Sequence, residues 1–421
     1  MVAVRDLEVG MASASHIHLQ QRRLDQTTLR MRICDEVRRQ CLHQYPHTLR
    51  GLLLTGSMAR YEASVTTGGD GKCHVLGDVE FLIVLQQDAH LPSSQEIAQL
   101  QTGIEVNLSM AGVICRVSLS PVHRDYLRKL PQHIFTYELL KCGQVVWGDG
   151  ALLSLVPEFS PSDISQEDAF RLLCNRMVEQ LEMASKVRLF VDALPASLGY
   201  STVKLYLDMA TSLLVFVGCY EATYQKRAER LAALDASSLG PPFELPDFSR
   251  RVATCTVKKL SLHVDHSDLD WAFFEAGIHY ACLLWRWELE RLTGTVAQES
   301  NRQLLERWRK LQPAHQRLRG WAYVARRQGW LRSWRCWPHW ALRAWRGSPR
   351  YWIYAAAAEV FFRLPCILNS QKPPLRVGTD WARLQRSLPL VNELAVKHPE
   401  WDHVSTQIAW NYHQFLTGTR A

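Results

Sequence analysis

Leu29, Ile33, Val37 and Cys41 recur every fourth residue in a segment otherwise rich in charge, a spacing that predicts an amphipathic helix over Leu24–His43. Two apolar runs follow, Leu49–Thr55 (LRGLLLT) and Val79–Leu85 (VEFLIVL). Both are β-rich and long enough to lie buried in a sheet, while the polar stretch Thr66–His74 (TTGGDGKCH) between them predicts a loop. Ser93 and Glu96 have capping-box spacing ahead of Ile97, Leu100, Ile104 and Leu108 at helical intervals. Val113–Ser120 alternates like a strand, with Val117 and Leu119 on one face and Arg116, Ser118 and Ser120 on the other.

Strand and helix patterns alternate to about Gly150, and from Pro161 onward only helical periodicity remains. It begins at Ser165 and Asp168 and continues over Thr202–Val217, Tyr220–Leu234 and Trp271–Leu292, with joints at Gly240-Pro241-Pro242, Pro313, Pro338 and Pro373-Pro374. The pattern therefore predicts a fold of two kinds, an α/β domain (a small mixed sheet with flanking helices) followed by an all-α helical region. Its expected divisions are an N-terminal extension (1–22), the α/β domain (23–155), a helical domain (160–300) and a basic helical C-terminal region (301–421). A length of 421 residues suits such a division at roughly 100 to 200 residues per domain.

Composition narrows the class. With 47% apolar and 21% charged residues the chain has the balance of a globular protein and not of a disordered one. The eleven cysteines are odd in number, scattered and never spaced CxxC, which argues against a disulfide framework or a zinc site and for a reducing, cytoplasmic setting. The start MVAVRDLEVGMASASH lacks the apolar core of a secretion signal, and no apolar stretch approaches the roughly 18 to 20 residues of a membrane span.

Candidate chemistry gathers at Gly56-Ser57-Met58-Ala59-Arg60 and at Asp78-Val79-Glu80, which opens the second apolar run. A glycine after a buried strand lets backbone approach a phosphate, unpaired N–H groups of a following helix can bind it, and the Ser57 hydroxyl can donate to the same oxygens. Asp78 and Glu80, two apart in a strand, point to one face, where two carboxylates can hold Mg²⁺ and two ions could clamp a triphosphate and the attacking oxygen. Against a plain turn and a solvated strand start stands the cost of two like charges opening a buried run without a compensating cation.

In this order and strand context the residues resemble the nucleotidyltransferase superfamily that includes DNA polymerase β, and the GSxAR form looks most like its antibiotic-modifying and minimal members. The likeness extends to Tyr137-Glu138-Leu139-Leu140 and Gly143-Gln144-Val145-Val146-Trp147-Gly148-Asp149, about 130 residues in all. The resemblance implies transfer of a nucleoside monophosphate from an NTP, with ATP as the expected donor, to an acceptor hydroxyl or similar nucleophile. Asp78 and Glu80 would be catalytic and metal-binding, Gly56 and Ser57 would hold phosphates, and Arg60 would steady the loop or the phosphates. A helical domain in such proteins closes over the nucleotide, and among its available residues (Lys204, Tyr206, Tyr220, Tyr224, Arg227, Asn175 and Arg176) Lys204 is the expected nucleotide ligand.

The third acid usual in this superfamily is missing from Val113–Ser120. Its polar face offers Arg116 and Ser118, and Arg116 either pairs with Asp78 and Glu80, leaving a catalytically inactive nucleotide-binding protein, or faces a phosphate. Glu105 is a poor substitute, since its helical position is expected to face solvent. The loop Thr66–His74, carrying Gly68, Gly69, Gly71 and Lys72, is either a lid over the triphosphate or a plain exposed loop.

Net charge is +8, yet residues 301–350 alone carry +12 and the remainder −4. A local basic patch implies an anionic partner for that segment. It also holds seven tryptophans (308, 321, 330, 334, 337, 340 and 345). They suit a core face, a peripheral membrane-surface contact or stacking on single-stranded nucleic acid, and the last two would make the chain an adaptor.

Overall fold

A computed structural model describes residues 26–187, 193–235, 240–261, 269–294, 299–329, 337–368, 381–390 and 399–419. The N-terminal extension 1–22, Trp330, Trp334 and the Pro373-Pro374 joint lie outside these residues. The chain divides into two compact units. The first holds the chain up to Ser165, with Glu221–Lys226 and the stretch beginning at Val257, and the second holds the remainder. Residues 301–421, set apart from 160–300 by their charge, share the second unit with most of that stretch, of which residues up to Ser165, Glu221–Lys226 and the part beginning at Val257 belong to the first.

The first unit is α/β. Helix α1 (26–44) precedes β1 (Leu49–Thr55), the single turn α2 (Gly56–Ala59), β2 (Val65–Thr67) and β3 (Cys73–Leu85). Then come α3 (Ser94–Met110), β4 (Val113–His123), α4 (Arg124–Arg128), α5 (Ile134–Cys142) and β5 (Gln144–Gly148). The sheet runs β2-β3-β1-β5, with antiparallel pairs throughout, and β4 lies parallel along β3. The expected loop Thr66–His74 is instead the tip of a hairpin. Its β-branched start Val65-Thr66-Thr67 pairs with Cys73-His74-Val75, and Asp70 accepts from the Lys72 N–H at 3.0 Å to close the turn.

Strand parity decides what β3 does along its length. Val79, Phe81, Ile83 and Leu85 face a core made with Ile33, Val37 and Cys41 of α1 and Ile97, Ile104 and Leu108 of α3. Leu82 and Val84 face the other way, against Leu53, Leu127, Leu139 and Leu152. Asp78 and Glu80 share that second parity, but the apolar cover has ended there and both side chains are exposed. The capping box starts α3 as expected, with the Glu96 N–H donating to Ser93 Oγ at 3.2 Å and the Ser93 N–H donating to Glu96 Oε2 at 2.7 Å. Glu105 is half-buried rather than turned to solvent. It accepts from the Val117 N–H at 2.8 Å while Gln101 donates to the Val117 carbonyl at 2.7 Å, so α3 satisfies the edge of β4.

The second unit is helical: α6 (Gln166–Ser185), α7 (Ala196–Phe216), α8 (Tyr224–Ala232, from Arg227), α9 (Leu245–Leu260, to Thr256), α10 (Trp271–Thr293), α11 (Asn301–Leu311), α12 (Ala314–Arg327), α13 (Trp337–Arg346), α14 (Pro349–Phe361), α15 (Leu364–Leu368), α16 (Trp381–Ser387) and α17 (Trp401–Thr419). Trp308, Trp321 and Trp340 are buried, whereas Trp337 and Trp345 are exposed. Trp308 meets Phe170 edge-on, centroids 4.7 Å apart, and its indole N–H donates to Glu167 at 2.9 Å, which fastens α11 to α6. For these three tryptophans the structure realises the core-face reading. Among the described residues no helix is long and apolar enough to cross a membrane.

Glu288 on α10 is fully buried, and neither carboxyl oxygen has a hydrogen-bond partner; the Ser212 hydroxyl lies nearby outside bonding geometry. Burial raises its pKa well above the usual carboxylate range. The folded state then holds a proton that the unfolded chain releases, so stability falls as pH rises from the ordinary carboxylate value toward the raised one. Glu288→Gln is expected to flatten that decline and to gain about 1 to 3 kcal/mol at neutral pH. Urea unfolding at pH 5 and pH 8 checks this, and an unchanged pH slope would refute it.

Candidate active site

The antiparallel register sets Thr55 directly opposite Glu80, so the end of β1 meets Glu80, with Asp78 just beyond the last pair. Gly56 follows with φ +68°, a conformation that costs an L side chain roughly 1 to 2 kcal/mol. A Cβ there would stand 2.5 Å from Glu80 Oε2. Glycine is thus required twice, by its backbone and by the carboxylate against it. Thr55 Oγ1 donates to the same oxygen at 3.4 Å. Ser57 comes next, half-buried, with no hydroxyl partner among the described residues. The helix expected after Gly56 is only one turn long, so an anion there would meet local N–H groups rather than a developed macrodipole.

Gly56→Ala is expected to destabilise the first unit by about 1 to 2 kcal/mol and to push the Glu80 carboxylate off its position. Denaturant unfolding and Mg²⁺ titration check the two effects, and wild-type values in both would refute this account of Gly56.

Glu80 reaches the surface, yet the atoms around its carboxylate take away part of its hydration. That loss raises its pKa, Glu138 and Asp78 raise it further, and Arg60 and the Thr55 hydroxyl oppose them. Two carboxylates of one strand face, Asp78 and Glu80, thus stand where a cation would relieve their charge. Such a site fits a divalent cation: Mg²⁺ takes one or two protein carboxylates and fills its remaining positions with water and phosphate oxygens. Among the described residues no group of three or more His, Cys, Asp or Glu converges as a ready-made metal cage.

On β4 the partners in register are Arg116 opposite Asp78 and Ser118 opposite Glu80. The Arg116 Nε lies 3.9 Å from Asp78 Oδ1, but the two side chains are 86% and 52% exposed. An exposed pair of that length contributes about 0 to 1 kcal/mol, too little to seal the acids from a metal.

Arg60 is held in ion pairs within the unit. Its side chain is 7% exposed, its Nε is 2.9 Å from Glu62 Oε2, its Nη1 pairs with Glu138, and its guanidinium carbon lies 5.6 Å from the Tyr224 ring centroid. Of the two roles expected for Arg60, steadying the loop is the one these contacts support. The same loop is fastened by Gln26 donating to the Ala63 carbonyl, Gln144 to the Ala59 carbonyl, and Lys259 to the Ser64 hydroxyl at 2.8 Å. Motif reading overlooked Glu62, and it placed Glu138 within the likeness without giving it a role. The available signal was a lone arginine among buried neighbours, which demands a carboxylate.

Lys204 belongs to the second unit, where its ammonium lies 5.0 Å from the Tyr200 ring centroid. Other helical candidates serve that unit's packing. Arg176 pairs with Asp208 at 2.6 Å, Arg227 donates to Thr211 at 2.9 Å, Tyr354 donates to Asn175 at 2.5 Å, and Tyr206 and Tyr220 are buried. A recess of about 630 Å³ at the other end of the sheet, beside Leu49 and Leu85, has its charges internally matched, with Arg128 2.8 Å from Asp125 and Arg124 3.8 Å from Asp149. It lacks the glycine turn and the same-face acids. No known family model matches the chain, and no curated protein does either.

Proposed function

We propose that the first unit is a nucleotidyltransferase domain that moves a nucleoside monophosphate, with ATP as donor, onto an acceptor hydroxyl or similar nucleophile. The observation that carries this reading is the Thr55–Glu80 register, which sets Gly56 against Glu80, with Asp78 two residues before it on the same strand face and Ser57 next in the turn. Asp78 and Glu80 would hold Mg²⁺, which when bound neutralises phosphate charge and eases deprotonation of the acceptor. Gly56 and Ser57 hold the β- and γ-phosphates by backbone N–H and hydroxyl donors. The acceptor oxygen forms a bond to the α-phosphorus, the bond from that phosphorus to the bridging oxygen breaks, pyrophosphate leaves, and the acceptor proton passes to water.

Arg116 is free to exchange its weak contact with Asp78 for a phosphate oxygen. The inactive nucleotide-binding alternative draws support from the lack of a carboxylate on β4 opposite Asp78 and Glu80. Incubation with α-labelled ATP, Mg²⁺ and a cell extract as acceptor source separates them. Label transfer with pyrophosphate release is the expected result; nucleotide binding without release would favour the alternative, and no binding would overturn both.

A further inference from the structure

The helical unit contains a groove of about 790 Å³ lined by α11, α13, α14 and α16. Leu305, Trp352 and Phe362 give it an apolar floor, and its size is that of a small-molecule site. Arg309 lies in it at 8% exposure. The bare backbone of Gly347 packs onto the arginine stem, since a Cβ there would fall 2.8 Å from the Arg309 Cβ. The Arg309 guanidinium carbon is 4.1 Å from the Trp352 ring centroid, and that of Arg343 is 5.2 Å from the same ring.

Among the described residues no carboxylate forms an ion pair with Arg309. Arg309 Nε is buried without an acceptor, and the Trp352 indole N–H likewise. The two acids of the groove pair with other arginines that line it, Glu306 with Arg302 at 3.6 Å and Glu359 with Arg383 at 2.6 Å. Loss of hydration pushes the Arg309 pKa down to about 10; Glu306 opposes this and Arg346, Arg302 and Arg343 add to it. Lys310 and Arg346 also line the groove, with no ion pair to a described residue. A buried cation among cations opposes folding and calls for an anion. One carboxylate would leave most of this charge unmatched, whereas a dianionic phosphate offers several acceptor oxygens to guanidinium donors.

We propose that this groove binds a phosphomonoester, its phosphate held by Arg309, Lys310 and Arg346 and its organic part laid over Leu305, Trp352 and Phe362. The site is separate from the acids of the first unit and does not depend on the transferase reading. It also gives part of the basic segment 301–350 a ligand.

The test follows thermal unfolding of the full chain with inorganic phosphate and with phenyl phosphate against sodium chloride of equal ionic strength, together with sedimentation on phosphatidylcholine vesicles with and without phosphatidic acid. Wild type is expected to gain Tm with both soluble phosphates, phenyl phosphate binding about tenfold tighter through its ring. Arg309→Met should abolish the response while raising the ligand-free Tm, because an apolar chain of similar length replaces an unbalanced buried charge. Arg346→Ala, on the exposed rim, should weaken binding about tenfold with Tm unchanged. Asp78→Asn should respond like wild type, which separates this site from the triphosphate site. A phenyl phosphate response marks a soluble ligand. Sedimentation with phosphatidic acid vesicles and no response to phenyl phosphate marks a lipid headgroup, and both carry the same phosphate chemistry. No response to any phosphate probe, or wild-type responses in both arginine variants, would overturn the proposal.

Discussion

Asp78→Asn is expected to cut nucleotidyl transfer by roughly 1000-fold or more, equivalent to about 4 kcal/mol of transition-state stabilisation, without loss of fold. Asp78 is exposed and lies beyond the apolar cover of β3, so the amide meets solvent and no core contact is lost. Its one ion pair among the described residues, with Arg116 at 3.9 Å, contributes too little for its loss to be felt in stability. What the amide removes is a negative charge that acts on Glu80. Without a metal that removal relieves repulsion, and the variant should be as stable as wild type or slightly more so. Under the proposed metal role the order should reverse with Mg²⁺, wild type gaining stability by binding and the variant not. Steady-state turnover and Tm with and without Mg²⁺ check both halves. Undiminished turnover in the variant would refute the assignment of Asp78, and an unchanged Tm of wild type on adding Mg²⁺ would remove the metal from the reading.

The parts of the fold legible in the sequence are those where one local signal decides one element. Val79–Leu85 is apolar at both parities because it is covered on both faces, and the Ser93–Glu96 capping box states where α3 begins. The positions of Asp78 and Glu80 follow from parity alone. The hairpin at Val65–Thr67 was hidden because three β-branched residues are a weak signal beside the glycines of its turn. Arg60 could be read as a phosphate ligand because Glu138, its partner, stands 78 positions away and only the fold brings it near. The assignment of Glu221–Lys226 to the first unit was equally hidden, since the surrounding sequence is uniformly helical. In the basic segment, Trp308 and Arg309 are neighbours that both turn inward. Composition records the tryptophan as apolar and the arginine as surface charge, and only packing shows that they share one buried side of α11.

Arg60→Met is expected to destabilise the first unit by about 3 to 5 kcal/mol, the usual cost of leaving buried carboxylates without their cation. Against a total domain stability of about 5 to 15 kcal/mol this would leave a substantial unfolded fraction or a poorly expressed protein. The Glu62 side chain is 5% exposed and Glu138 is 16% exposed, so water does little to replace the guanidinium. Glu62 also accepts from the Tyr224 N–H at 2.6 Å, which spreads the damage to the 221–226 segment of the same unit. Adding Glu62→Gln and Glu138→Gln to Arg60→Met removes the orphaned charges and should restore most of the stability, because an apolar or neutral set of similar volume often matches a buried ion pair. Activity should not return to the wild-type level in that triple variant: Glu138 and Arg60 both act on the charge of Glu80, and the loop carrying Ser57 loses its charged anchor. Guanidinium unfolding of wild type, single and triple variants measures the first effect, and ATP titration the second. If Arg60→Met kept wild-type stability and lost ATP affinity alone, Arg60 would be a phosphate ligand after all, and its two carboxylate partners would have to open when nucleotide binds.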